Sequence, residues 1–186
     1  MEIKMKKKNT IYSMTQIALC AAILCILGPI KFPIAISPVP ISLGVLGVYL
    51  AVYTSGWIKG TISVLIYVLL GLVGVPVFAG YVGGAGVLFG PTGGYIIGYL
   101  FLSLIAGFFI VKFENKIAMH VVGMVLGTLV CYALGTLWLG FQLNLGFIEA
   151  LWAGVIPYTP ADAVKLIITL AIGIPVRKGL KRANLL

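Results

Sequence analysis

Acidic side chains are almost absent from this chain, with four in 186 residues. Charged residues of both signs make up only 9%, against about a quarter in a soluble domain, which excludes an ordinary solvated surface. Cys20, Cys25 and Cys131 are the only cysteines. All three lie in apolar runs without metal-ligand spacing, so they read as small buried hydrophobes and not as a zinc site or a disulfide framework. His120 is the single histidine. No Ser/His/Asp set, Cys/His pair or His/carboxylate cluster can be assembled around it, so we expect no enzyme, no cofactor and no metal. No glycine-rich stretch ends in Gly-Lys-Ser/Thr, which excludes a Walker A loop.

What remains is 61% hydrophobic, and the apolar residues come in bilayer-length runs. The expected fold is an all-α integral membrane protein, a single domain over 1–186, with six transmembrane helices of roughly 20 residues each. Their approximate limits are 11–27, 41–54, 60–75, 95–111, 117–139 and 160–176. The basic start ahead of the first run reads as a retained span, because the run is long and no small-x-small cleavage site closes it. Between the spans, Lys31 to Pro40 is broken by prolines at 33, 38 and 40, following Pro29, and blocks a regular helix. Pro76 to Gly94 is too glycine-rich for one. Gly140 to Thr159 reads as a loop with a short amphipathic stretch.

The net charge of +9 is distributed as the positive-inside rule requires. With both termini cytoplasmic, the inner segments hold Lys4, Lys6, Lys7, Lys8, Lys59, Lys112, Lys116, Arg177, Lys178, Lys181 and Arg182, which is 11 of the 13 basic residues. The outer loops keep only Lys31, and Lys165 falls within the last span. This pattern points to attraction to anionic membrane lipid and away from nucleic acid. It also turns the Pro- and Gly-rich loops outward.

Asp162 and Lys165, in Pro160-Ala161-Asp162-Ala163-Val164-Lys165, are the sharpest candidates for chemistry. An acid and a base at i and i+3 share a helix face, and each is costly at membrane depth. Asp162 also fits a capping box, with Thr159 at N-cap, Pro160 at N1 and Asp162 at N3. Lys165 has no such structural excuse, because a cation is disfavoured near the positive end of the helix dipole. The glycine-rich loop, with Tyr81, Gly83, Gly84, Thr92 and Tyr95, offers backbone N–H groups that could meet a polar ligand. Trp138 and Gln142, at i and i+4, could present a ring and an amide to a pocket or form part of an interfacial belt. Ala18 and Ala22 make a small-xxx-small face suited to close helix approach, within the chain or to a partner.

Four segments occur in order: Val39-Pro40-Ile41, the run from Gly71 to Gly80, Gly90-Pro91-Thr92-Gly93-Gly94-Tyr95, and Pro160 to Lys165. Together they resemble BioY, the biotin-binding S component of energy-coupling-factor (ECF) transporters, over nearly the whole chain. The resemblance implies a six-helix subunit that captures biotin from outside. It also implies a transmembrane coupling subunit and two cytoplasmic ATPases as partners, with the Ala18/Ala22 face meeting the coupling subunit. Asp162 is then expected toward the ureido end of biotin and Lys165 toward its carboxylate, or both at one end with Lys165 orienting Asp162. Many members carry a glutamine shortly after Val-Pro-Ile. Here Ser42-Leu43-Gly44 stands in that stretch, which leaves Ser42 to substitute. The alternatives are an S component for another small vitamin, or a membrane scaffold without a ligand.

Overall fold

A computed structural model describes residues 2–32 and 40–183, except for the side chains of residues 2–9. In chain order its elements are α1 (Glu2–Leu27), β1 (Lys31–Phe32), β2 (Ile41–Ser42), α2 (Gly44–Leu72), α3 (Ala85–Leu88), α4 (Gly93–Lys112), α5 (Ile117–Leu143), α6 (Phe147–Gly154) and α7 (Thr159–Arg182). Among the described residues, five helices are long and apolar enough to cross a membrane: α1 through Thr10–Leu27, α2, α4, α5 and α7.

The expected second and third spans run together as α2, which is a correction in count with a local cause. Gly56 interrupts α2 with φ 79° and ψ 177°, a conformation that only glycine adopts without strain. A Cβ on Gly60 would lie 3.0 Å from the Val52 Cα. Eight residues along a straight helix would separate those positions by about 12 Å. The chain therefore doubles back at Gly56, and the halves of α2 pack against each other.

Three further expectations are corrected. The stretch 76–94, expected to lack helix, contains the single-turn α3. Helix α5 continues past 139 to Leu143, and the amphipathic stretch after it is α6. The fold is not purely helical, because β1 and β2 form a two-residue antiparallel ladder with Lys31 opposite Ser42 and Phe32 opposite Ile41. Pro33, Pro38 and Val39 lie outside the described residues.

The apolar interior is built from Leu24 of α1, Val48, Tyr49, Val52, Tyr53, Val64 and Tyr67 of α2, Leu102 and Ile110 of α4, and Met124 of α5. Helices α4 and α5 approach closely because small residues line their seam. Added Cβ atoms on Gly94, Gly98 and Gly127 would strike Trp138, Cys131 and the Leu102 backbone, the small-residue packing that replaces hydrophobic burial in a bilayer. The outward faces carry Leu65, Leu69, Phe101, Leu126, Leu129, Ile167 and Ile172, all exposed. That is the surface an apolar solvent requires.

The bundle has two distinct ends. At one, Arg177 of α7 donates through Nε to Glu114 at 3.0 Å and through Nη1 to the Tyr53 carbonyl at 3.1 Å, and Lys181 also pairs with Glu114. His120 is buried there and bonded through Nδ1 to the Tyr53 hydroxyl at 3.0 Å, remote from Asp162. At the other end are the β1–β2 pair, residues 73–92, α6 and the start of α7.

Candidate functional site

Helix α7 begins one residue earlier than the capping-box pattern predicts. Tyr158 is the N-cap residue and makes no side-chain cap bond. The Asp162 N–H donates to the Tyr158 carbonyl at 2.9 Å, and the Thr159 hydroxyl donates to the Val155 carbonyl at 3.2 Å. The capping-box reading of Asp162 is therefore overturned. The turn at 155–158 already starts the helix, so the Asp162 carboxylate is free to leave the helix end.

That carboxylate makes two short contacts. Lys165 Nζ donates to Oδ1 at 2.6 Å, and the Tyr132 hydroxyl of α5 donates to Oδ2 at 2.5 Å. The side chains of Lys165 and Asp162 are only 8% and 11% exposed. A buried ion pair of this kind is weak as a stability device, because desolvation consumes most of the Coulombic gain. Capacity for further bonds remains. The carboxylate has about four lone-pair sites, and the ammonium has three N–H donors.

The pair borders a cavity walled by Ile41, Val45, Tyr95, Tyr99, Leu102 and Tyr158, with Ser42 and Thr128 among its polar lining. The lining is that of a small-molecule site: mostly apolar and aromatic, with few convergent polar groups. Pro40, Ser42, Tyr95 and Tyr99 also border a second chamber, which continues past Lys31, Tyr67, Phe78, Val87 and Thr92. The Ser42 and Tyr99 hydroxyls, 3.4 Å apart, stand where the two meet. The Tyr95 hydroxyl donates to the Gly154 carbonyl at 2.9 Å, tying α4 to α6 at the rim.

The other expected site residues separate into two sets. Asp162, Lys165, Ser42 and Tyr95 border the first chamber, and Thr92 borders the second. Trp138 and Gln142 instead hold the glycine-rich loop. Trp138 Nε1 donates to the Gly90 carbonyl at 2.9 Å, and Gln142 Nε2 to the Phe89 carbonyl at 2.6 Å. Gly83 lies against the Val75 carbonyl, and the Gly84 N–H is taken by the Gly71 carbonyl at 2.6 Å. Tyr81 is exposed with φ 60° and borders neither chamber. Ala18 and Ala22 are both exposed on α1.

Tyr132, Tyr99, Tyr158, Thr128 and Lys31 were missed from the sequence. A signal for the first did exist. Thr128, Tyr132 and Thr136 recur every four residues along an apolar helix, a polar stripe on one face. Tyr99 and Tyr158 carry no local signature, because tyrosine is equally at home in a membrane core or belt.

The model of the BioY family matches residues 4–182. The chain is 34% identical over 178 residues to the biotin transporter BioY2 of Lactococcus lactis subsp. cremoris, covering 95% of this chain and 97% of that protein. It is 38% identical over 145 residues to the biotin transporter BioY of Thermotoga maritima, covering 78% and 85% respectively. The crystal structure of the S-component for biotin from an ECF-type ABC transporter superposes with a TM-score of 0.84 at 32% identity, covering 92% of this chain and 93% of that one.

Proposed function

This chain belongs to the BioY family, and on that premise we propose that it is the membrane subunit that captures biotin for uptake. The observation that carries the reading is the Asp162–Lys165 ion pair on the wall of a small aromatic cavity. A cyclic urea presents N–H donors and a carbonyl acceptor side by side. Asp162, oriented by Tyr132, accepts from a ureido N–H, and Lys165 donates to the ureido oxygen. The 2.6 Å contact between them favours both serving one end of the ligand, with the tyrosine walls enclosing the apolar thiophane ring. Ser42 and Tyr95 line the same space, and Thr92 faces the second chamber. Tyr81, Gly83, Gly84, Trp138 and Gln142 shape the loop above it.

Counting the halves of α2 separately gives six passes, which returns both termini to one side. The basic residues of the Arg177/Lys181 end then face the cytoplasm, and the cavity faces outward. With no ATP-binding loop in this chain, energy comes from partners: a transmembrane coupling subunit and two cytoplasmic ATPases of the ECF type. The exposed Ala18 and Ala22, on the face of α1 opposite the buried Cys20 and Leu24, support α1 as the docking helix. Saturable binding of labelled biotin to the purified chain, displaced by unlabelled biotin and not by riboflavin or thiamine, is the expected result. Displacement by either other vitamin instead of biotin would replace this reading with that of a different S component.

A further inference from the structure

We infer that Lys31 is the residue that selects for the ligand's carboxylate, holding it in the second chamber while Asp162 and Lys165 hold the opposite end. The inference rests on the biotin reading above and adds a residue to it. Asp162 and Lys165 neutralise one another at 2.6 Å, so their end of the cavity has no surplus positive charge for an anionic group. The second chamber shares Ser42, Tyr95 and Tyr99 with the first, and among the described residues Lys31 is the one charged residue on its wall.

Two observations aim Lys31 there, and the charge distribution gives a reason for it. The β1–β2 register sets it directly opposite Ser42, and opposed residues in an antiparallel pair project from the same face. Ser42 borders both chambers, so the register turns Lys31 toward them. Its side chain also lies along the loop at Gly80, where an added Cβ would overlap Lys31 Cδ, Cε and Nζ. Gly80 has φ 90° and its N–H donates to the Pro29 carbonyl at 2.8 Å, which keeps the loop against the start of β1. Finally, apart from Lys165, Lys31 is the only basic residue in the sequence outside the opposite end of the bundle and its tails. A cation retained at the cation-poor end, beside a chamber with no other charge, fits an anionic ligand group. An ammonium offers it a compact charge with three donors.

The test compares biotin with biotinamide, in which a neutral carboxamide replaces the carboxylate. Affinities for both are measured on the full chain in lipid nanodiscs, for the wild type, Lys31→Gln and Lys31→Arg. The wild type is expected to bind biotin roughly tenfold more tightly than the amide, the scale of one charge-assisted contact at a partly solvated site. Lys31→Gln should bind both alike, with amide affinity unchanged, which also shows that the variant is folded. Lys31→Arg should restore the preference. A wild type without preference, a Lys31→Gln variant that keeps it, or equal loss of both ligands would overturn the role of Lys31 while leaving the biotin reading intact. If the wild type bound neither ligand, the biotin reading itself would fail and this inference with it.

Discussion

Asp162 draws its orientation from a residue 30 positions away in sequence. The Tyr132 hydroxyl, at 2.5 Å, occupies one carboxylate oxygen and Lys165 the other, which fixes the plane of the group before any ligand arrives. Preorganisation of this kind lowers the entropic cost of binding. Tyr132→Phe should therefore weaken biotin binding roughly tenfold while leaving the ion pair in place, since a hydrogen bond to a charged group contributes about 1.5–3 kcal/mol. Isothermal titration of the two proteins reads this directly, and an unchanged affinity would remove Tyr132 from the site. At this scale the sequence was only partly legible. The i, i+3 spacing identified the pair, because helix geometry is local. It suggested a capping role for Asp162 that a tertiary partner on α5 displaces. Trp138 and Gln142 had the right types and spacing for a pocket, yet Trp138 Nε1 and Gln142 Nε2 donate to the carbonyls of Gly90 and Phe89. Which neighbour a side chain reaches is decided by packing between helices, and no local pattern records it.

Among the elements, α2 is the one whose behaviour depends most on a single backbone conformation. The reversal at Gly56 lets Val52 and Gly60 touch. The limits 41–54 and 60–75 expected from hydropathy left room for a turn there, although they set the start of the helix before Gly44. Gly56→Ala forces a non-glycine residue to φ 79° and ψ 177°, at a cost of order 1–3 kcal/mol. Gly60→Val adds a collision with the Val52 backbone and should be the more damaging of the two. Thermal unfolding in detergent should rank them wild type, then Gly56→Ala, then Gly60→Val. A Gly60→Val protein as stable as the wild type would contradict the hairpin. Helix α7 illustrates the opposite case. Its span was readable from hydropathy to within about six residues, because a bilayer imposes length more strictly than it imposes ends.

Across the whole molecule, the Glu114–Arg177–Lys181 cluster closes the end opposite the cavity by joining the α4–α5 turn to α7. Burial pushes the Glu114 carboxyl up, but the hydrogen bonds and charges of Lys181 and Arg177 outweigh it and hold the group below its ordinary value. A depressed carboxylate contributes stability that is fully present above its unfolded pKa, about 4.3. That contribution is lost as pH falls through the lower folded value. The melting temperature of the wild type should thus drop on acidification below about pH 5. Glu114→Gln should melt lower at pH 7 and show a shallower acid decline. Identical pH profiles would mean that the cluster does not couple α7 to the bundle.

On the reading proposed above, a buried ion pair, costly in a membrane, is retained for a ligand and not for the fold. Replacing both partners together, Asp162→Leu with Lys165→Met, removes the charges without stranding either one. Such exchanges are commonly neutral or stabilising by about 1–4 kcal/mol. The decisive measurement is equilibrium biotin binding to this double variant and to the wild type, with thermal unfolding of both recorded alongside. The double variant should melt no lower than the wild type and lose saturable biotin binding. A double variant that unfolds early but binds biotin as tightly as the wild type would show that the pair serves the fold and not the ligand.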